Sequence, residues 1–332
     1  MVPRGKPKRG QARLVKTPRE FLAETVERNK TKPFRNKHLS ATFLGTASAT
    51  PTRKRGMPSI AIKYDDLLLW DCGEGCQMEM MRRRIGSGSV KAVFLTHLHL
   101  DHFLGVFGLV KTLGMARQRR IDIFAPDRFR KIMDAMEIDP SFFSTKEMEV
   151  GKLYSGDQYD VSAFRVKHRN IDSFGLVFKE QERTRIDTEK TGALGFSQQN
   201  YVDISTQGET IIGEKKIGIE EVLVCVKGRK IIYSGDTVYD ERIAQIAEGA
   251  DLLIHEATYT EEFADLAAKN GHSTARQAAE IARMAGAKKL VLTHFSRMCS
   301  NDVLEREAKE LFENTLIAKD GMKVEVKQEK WA

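Results

Sequence analysis

Five times in this chain a short strand-like run ends on a histidine or an aspartate, and that repetition restricts the folds open to it. Val93-Phe-Leu-Thr96 leads into His97, Phe164-Arg-Val-Lys167 into His168, and Ile231-Ile-Tyr-Ser-Gly235 into Asp236. Asp251-Leu-Leu-Ile254 leads into His255, and Leu290-Val-Leu-Thr293 into His294. Apolar runs this short, bounded by polar residues, read as buried strands. In layered α/β folds, side chains at several strand ends meet in one crevice, so the pattern predicts a site built from distant parts of the chain.

The densest signal is His97-Leu-His-Leu-Asp-His102, with four potential metal ligands in six residues. Imidazole and carboxylate are ligands that zinc accepts in place of thiolate. On a loop, His97 and His99 can face one way and Asp101 and His102 another, which suits two metals. Adding His168, Asp236 and His294 gives seven candidate ligands, enough for a two-metal centre with positions open for water and substrate. A chance run of surface histidines does not explain seven of eight histidines in this recurring context. His38 alone lacks it and reads as a surface residue.

A chain of 332 residues, 41% apolar, can bury a substantial core. It has no run of about 18 apolar residues, so no membrane span is expected. Without an apolar segment near the N-terminus, no secretory signal is expected. Cys72, Cys76, Cys225 and Cys299 do not form a paired framework and read as reduced thiols of a cytoplasmic protein. Charge is uneven: residues 1–37 hold 12 Lys/Arg against 3 Asp/Glu, while the remainder is nearly balanced. That tail reads as disordered apart from a short helix at Pro18–Asn29, and it either attracts a polyanion or only solubilises the chain.

Strands are expected at Leu39–Leu44, Ser59–Tyr64 and Leu67–Asp71, the last two as a hairpin, and at Ile121–Phe124. More follow through 147–180, at Val222–Val226 and at Lys230–Tyr233. Helices are expected at Gly73–Arg84, with Met78 and Met81 in the core, and at Phe103–Ala116, Pro126–Met136 and Val238–Glu248. A further helix, Thr274–Ala285, opens on a capping box at Thr274-Ala-Arg-Gln277. Residues 181–218 are polar, weakly periodic and too long for an ordinary connection, and so read as an insertion. No internal repeat is visible, although two halves contributing strand-end ligands suit a pseudo-twofold sandwich.

These residues resemble the metallo-β-lactamase superfamily and, within it, the ribonuclease Z family. The H-x-H-x-D-H pattern at His97–His102 is shared by esterases, lactamases and nucleases alike. The narrower likeness lies in Phe43-Leu-Gly-Thr46, Asp71-Cys-Gly-Glu-Gly75, Ser234-Gly-Asp-Thr237, His255-Glu-Ala-Thr258, Gly271-His-Ser-Thr274 and Leu292-Thr-His-Phe-Ser296. It covers about residues 39–300 and implies an αβ/βα sandwich, two mixed sheets flanked by helices, with a protruding arm insertion. Two departures stand out. Leu100 occupies a place usually held by glycine, and the insertion lacks a Gly-Pro knuckle, all eight prolines lying at or before position 140.

The resemblance implies that His97, His99 and His168 hold one Zn2+ and that Asp101, His102 and His294 hold a second, with Asp236 bridging. Mn2+ tolerates the same ligands. Asp101 would also act as general base. His272 would protonate the leaving oxygen, oriented and raised in pKa by Glu256, with a purely structural role as the alternative. Asp71 would support a ligand histidine, and His255 reads as a structural hydrogen bonder. Arg53, Lys54 and Arg55 would approach phosphates or form a solvated basic turn, and Arg297 would lie near the centre. The implied activity is a cytoplasmic, zinc-dependent endoribonuclease removing the 3′ trailer from precursor tRNA, as a homodimer in which one subunit's arm serves the other's site. The runner-up is a phosphodiesterase acting on another RNA or a small cyclic phosphodiester. A nucleic-acid-binding protein with a degraded site is a third reading, against which the intact ligand set argues.

Overall fold

The structure, a computed structural model, describes residues 37–115 and 120–328. The basic tail and its expected helix at Pro18–Asn29 lie outside the described residues, save Lys37, which ion-pairs with Asp65 and Asp157.

β1 (Leu39–Gly45), β2 (Ser59–Lys63) and β3 (Leu67–Trp70) form an antiparallel meander, beside which β4 (Val90–Phe94), β5 (Ile121–Ala125) and β6 (Phe143–Glu147) continue in parallel. The strand Lys323–Val326 (β18) completes this seven-stranded sheet against β1. A second seven-stranded sheet begins with β7 (Gly151–Gly156), β8 (Tyr159–Arg165) and β9 (Phe174–Glu180), all antiparallel. It continues through β14 (Lys230–Tyr233), then in parallel through β15 (Leu252–Glu256), β16 (Leu290–Thr293) and β17 (Thr315–Ile317). Each sheet, read from β18 or from β7, has three antiparallel pairings followed by three parallel ones. The halves therefore repeat one topology without repeating a sequence.

Strand alternation explains why these runs are apolar throughout. In β3, Leu68 and Trp70 face the core shared by the two sheets, while Leu67 and Leu69 face the helices outside the first sheet. Ala92 and Phe94 of β4 divide from Val93 in the same way. Strands covered on both faces need apolar residues at every position. Trp70 stacks on Tyr233 of the opposite sheet, ring centroids 6.0 Å apart, which ties the sheets together beside the crevice.

The helix Ala275–Met284 opens on the expected capping box, Thr274 with Gln277. Other expectations need correction. The strand before the histidine motif is Val90–Phe94, leaving Leu95 and Thr96 as its exit. The motif is not all loop: Asp101 and His102 sit on a helical turn, Leu100–Phe103, which precedes the helix Gly105–Met115. Met78 and Met81 are 53% and 63% exposed, because the helix Cys76–Arg82 turns Cys76 and Met80 inward instead. The expected helix Val238–Glu248 shrinks to Arg242–Ile246, since Asp240 accepts hydrogen bonds from the Arg242 backbone and side chain and so favours a turn there.

Glu182–Lys227 separates as a compact unit of its own. Within it β10 (Arg183–Ile186) pairs with β13 (Leu223–Val226), and β11 (Glu209–Ile212) with β12 (Lys215–Gly218). The run Val222–Val226 therefore closes the inserted unit rather than resuming a main sheet. Asp187 caps the helix Thr188–Ala193, and Ser197 with Asn200 forms a capping box on Gln198–Gln207. Ile204, Ile217 and Val222 form a small separate core. At the root, a Cβ on Gly228 would lie 1.9 Å from the Glu180 carbonyl oxygen, so only glycine fits. No described helix is long and apolar enough to cross a membrane.

Candidate metal centre

Strand ends from both sheets and the helical turn Leu100–Phe103 deliver the predicted ligands to one place. The ligand atoms of His97, His99, His168 and Asp236 lie within 4.8 Å of one another, as do those of Asp101, His102 and His294. Asp236 Oδ2 lies 3.3 Å from His102 Nε2, 3.2 Å from His294 Nε2 and 3.7 Å from His97 Nε2, so it joins the two groups. All seven predicted ligands are brought together.

Four of the five ligand imidazoles, those of His97, His102, His168 and His294, are held from behind. His102 Nδ1–H donates to Asp71 Oδ2 at 2.8 Å, and His168 Nδ1–H to the Gly271 carbonyl at 2.6 Å. His97 is held indirectly: Thr96 donates its one hydroxyl proton to Asp71, 3.0 Å away, and so accepts from His97 Nδ1–H, also at 3.0 Å. His294 is held likewise, with Thr258 donating to Glu256 Oε2 at 2.6 Å and accepting from His294 Nδ1–H at 2.9 Å. This leaves the Nε2 lone pairs of all four rings for the centre. Backbone strain aims the parts: Asp71 and His294 have φ of 55° and 62°, unusual for residues other than glycine.

The donor set fits a pair of divalent cations. Among the described residues, His97 Nε2 and Asp236 Oδ1 are buried with no hydrogen-bond partner, which ordinarily costs about 1–3 kcal/mol per group. His255 Nε2 is orphaned too among the described residues, but that ring stands outside both ligand groups and its Nδ1–H donates to the Glu256 carbonyl at 2.7 Å. Burial drives His97 well below the usual imidazole range and His99 to about 4, leaving both neutral, as lone-pair donors must be. Burial opposes charge on His102 as well, but Asp236, Asp71 and Asp101 outweigh it and raise its pKa well above the usual range. The carboxylate-rich end of the site thus calls for positive charge, which a proton or a cation supplies.

His272 stands beside the ligands, its side chain 12% exposed, with Nδ1 2.8 Å from Glu256 Oε1. Burial lowers its basicity, but the Glu256 charge and hydrogen bond prevail and raise the pKa to about 9. Its ring stacks beside that of His294, centroids 5.3 Å apart. Of the basic residues read as phosphate contacts, Arg297 is exposed. Arg53 and Lys54 are exposed along a hollow also bordered by Glu74, Glu79 and Asp320. Arg55 is engaged internally, bonding Thr46, the Ala318 carbonyl and Asn301 and covering the Phe295 ring. It therefore braces the fold. Thr96, Thr258, the Gly271 carbonyl and Tyr233, whose hydroxyl donates to Asp71 Oδ2 at 3.0 Å, are the supporting groups that the sequence did not single out.

Two mixed sheets with ligands converging from both halves define a metal-dependent hydrolase of the metallo-β-lactamase fold. Residues 221–295 match the beta-lactamase superfamily domain, and residues 39–217 match the family of the anti-Pycsar protein Apyc1. The chain is 37% identical over 297 residues to ribonuclease Z of Archaeoglobus fulgidus, covering 86% of this chain and 97% of that protein. It is 38% identical over 300 residues to ribonuclease Z of Methanothermobacter thermautotrophicus, covering 87% and 97%. The crystal structure of the short form of human tRNase Z superposes with a TM-score of 0.62 at 28% identity, covering 87% of this chain and 99% of that one. The chain belongs to the ribonuclease Z family and, over residues 39–217, to that of the anti-Pycsar protein Apyc1.

Proposed function

We propose that this protein is a metal-dependent endoribonuclease that removes the 3′ trailer from precursor tRNA, leaving a 3′-hydroxyl on the tRNA body. The observation that carries the reading is a complete seven-ligand centre, with a His272–Glu256 pair beside it, in a chain alike over most of its length to ribonuclease Z proteins. Two divalent cations at such a centre lower the pKa of water and neutralise charge on phosphoryl oxygens. His97, His99 and His168 would hold one, Asp101, His102 and His294 the other, and Asp236 both. Asp101, whose Oδ2 lies 3.4 Å from His102 Nε2 and 3.6 Å from His294 Nε2, would accept the proton of the attacking water. His272 anchors Nδ1 on Glu256 and presents Nε2 to the departing O3′ as proton donor.

Zinc is the metal we assign, from the imidazole and carboxylate donors, and elemental analysis of purified protein tests it. We also assign a cytoplasmic homodimer in which the inserted unit of Glu182–Lys227 grips tRNA for the partner's site, testable by sedimentation.

The deciding experiment is cleavage of a 3′-extended precursor tRNA by metal-loaded protein, beside Asp101→Ala and a small phosphodiester. A single cut near the end of the acceptor stem, lost in the variant, is expected. A second reading, hydrolysis of another RNA or a small cyclic phosphodiester, is favoured by the Apyc1 match and by an inserted unit without proline. Turnover of the small diester with precursor tRNA untouched would put that reading first.

A further inference from the structure

A groove of about 1210 Å³ opens beside the metal centre, and His99 belongs to its wall. It lies between the segment Pro126–Met136 and the turn Arg169–Asp172 that follows ligand His168. Its volume exceeds the roughly 300–1,000 Å³ typical of small-molecule sites, so it has room for a short polymer segment.

Its lining has two chemistries. Arg128, Lys131 and Arg169 supply cationic groups, and neither Arg128 nor Lys131 has a carboxylate partner among the described residues. Arg169 is anchored by one bond, Nε to the Asn270 carbonyl at 2.9 Å, which leaves its terminal nitrogens directed elsewhere. Of the two acids in the wall, Asp172 is already paired with Arg165, so cations prevail. The same wall carries apolar side chains, with Met136 54% and Ile171 39% exposed, and Ile132. Exposed apolar groups in one wall with unpaired cations match a strand that carries phosphates on one side and unpaired bases on the other. A duplex does not present that pattern, because its bases are stacked and paired.

We propose that this groove is the binding channel for the single-stranded 3′ trailer. Arg128 and Lys131 contact its phosphates, and Ile132, Met136 and Ile171 contact its bases. The identity of the strand as the trailer rests on the tRNA-processing reading; binding of a single strand at this place does not. With no Phe, Tyr or Trp in the wall, the channel takes bases by apolar contact and is tolerant of sequence.

The test uses the metal-loaded full chain and a 5′-phosphorylated single-stranded oligouridylate carrying 4-thiouridine. Irradiation and peptide mapping are expected to place crosslinks within 126–136 or 169–172. Crosslinks confined to other segments, or none, would overturn the proposal. In parallel, oligouridylate binding is followed against salt for wild type and for Arg128→Ala/Lys131→Ala, with metal content and melting temperature as checks on the fold. Losing two phosphate contacts lowers the log–log salt slope by about 1.4 in magnitude. The basic tail contributes equally to both proteins, so an unchanged slope would refute the phosphate roles. Precursor tRNA cleavage by the same wild-type sample reports separately on the tRNA reading, so either idea can fail alone.

Discussion

Glu256 reaches His272 directly and His294 through Thr258, so one buried carboxylate governs both the proposed proton donor and an imidazole of the candidate metal centre. Asp71 plays the matching part in the other half of the sandwich, holding His102 directly and His97 through Thr96. The pairing of functions follows the pairing of topologies: each carboxylate sits at the end of a strand in its own sheet, Asp71 just after β3 and Glu256 closing β15.

A proton donor matters only when the leaving oxygen is basic. His272→Ala is therefore expected to slow precursor tRNA cleavage by about 10²–10⁴-fold. The same variant should hydrolyse a nitrophenyl phosphodiester at nearly the wild-type rate, since nitrophenolate departs without a proton. Parallel rates with both substrates and measured metal content check this. An equal loss on both would assign His272 to metal or structural support instead.

Thr258 donates to Glu256 and so leaves its oxygen as acceptor for His294 Nδ1–H. Thr258→Val keeps the shape and removes that acceptor. Metal affinity, measured by chelator competition, is expected to fall by about 10–100-fold, the usual cost of losing a group that orients a ligand. Thr258→Ser should restore it. A valine variant that binds both metals as wild type does would show that packing alone orients the ring.

The strand-end ligands were legible in the sequence because each follows a run that can only be a buried strand. Their supports were not. Thr96-His97 and Thr293-His294 read alike, yet only Thr96 bonds its neighbour, while His294 relies on Thr258, 36 positions away. Which threonine serves depends on how strands lie side by side. The same limit explains Arg55, a basic residue in a basic turn whose partners, Ala318 and Asn301, come from the far end of the chain. The inserted unit was legible as an interruption, and Asp187 and Ser197 with Asn200 were its readable caps. That Leu223–Val226 belongs inside it was hidden, because a strand's sequence does not name its partner.

Acid stability reads a different carboxylate. Glu180 is buried, which alone would raise its pKa, but bonds from Arg229 and Tyr64 and the Arg229 charge lower it below the usual carboxylate range. Its proton affinity is thus lower folded than unfolded. The stabilisation is fully present above the unfolded value of about 4.3 and is lost as pH falls through the folded pKa. Urea unfolding of Glu180→Gln should show a shallower decline across that acid window than wild type. Arg229→Ala, which strands the charge, should cost about 3–5 kcal/mol near neutrality.

The same pair marks where the inserted unit leaves and rejoins the sandwich. The Glu180 N–H donates to the Arg229 carbonyl at 2.9 Å, so the chain on either side of Glu182–Lys227 is already bridged. The unit has its own core of Ile204, Ile217 and Val222, separate from the cores around the sheets. Replacing it with a short Gly/Ser loop should therefore leave the metal centre intact and small-diester hydrolysis at the wild-type level. Precursor tRNA cleavage should fall by at least about tenfold, the loss expected when a gripping module worth 1.4 kcal/mol or more is removed. If both activities survive, tRNA is held by the sandwich itself; if both are lost with the metals retained, the unit shapes the centre.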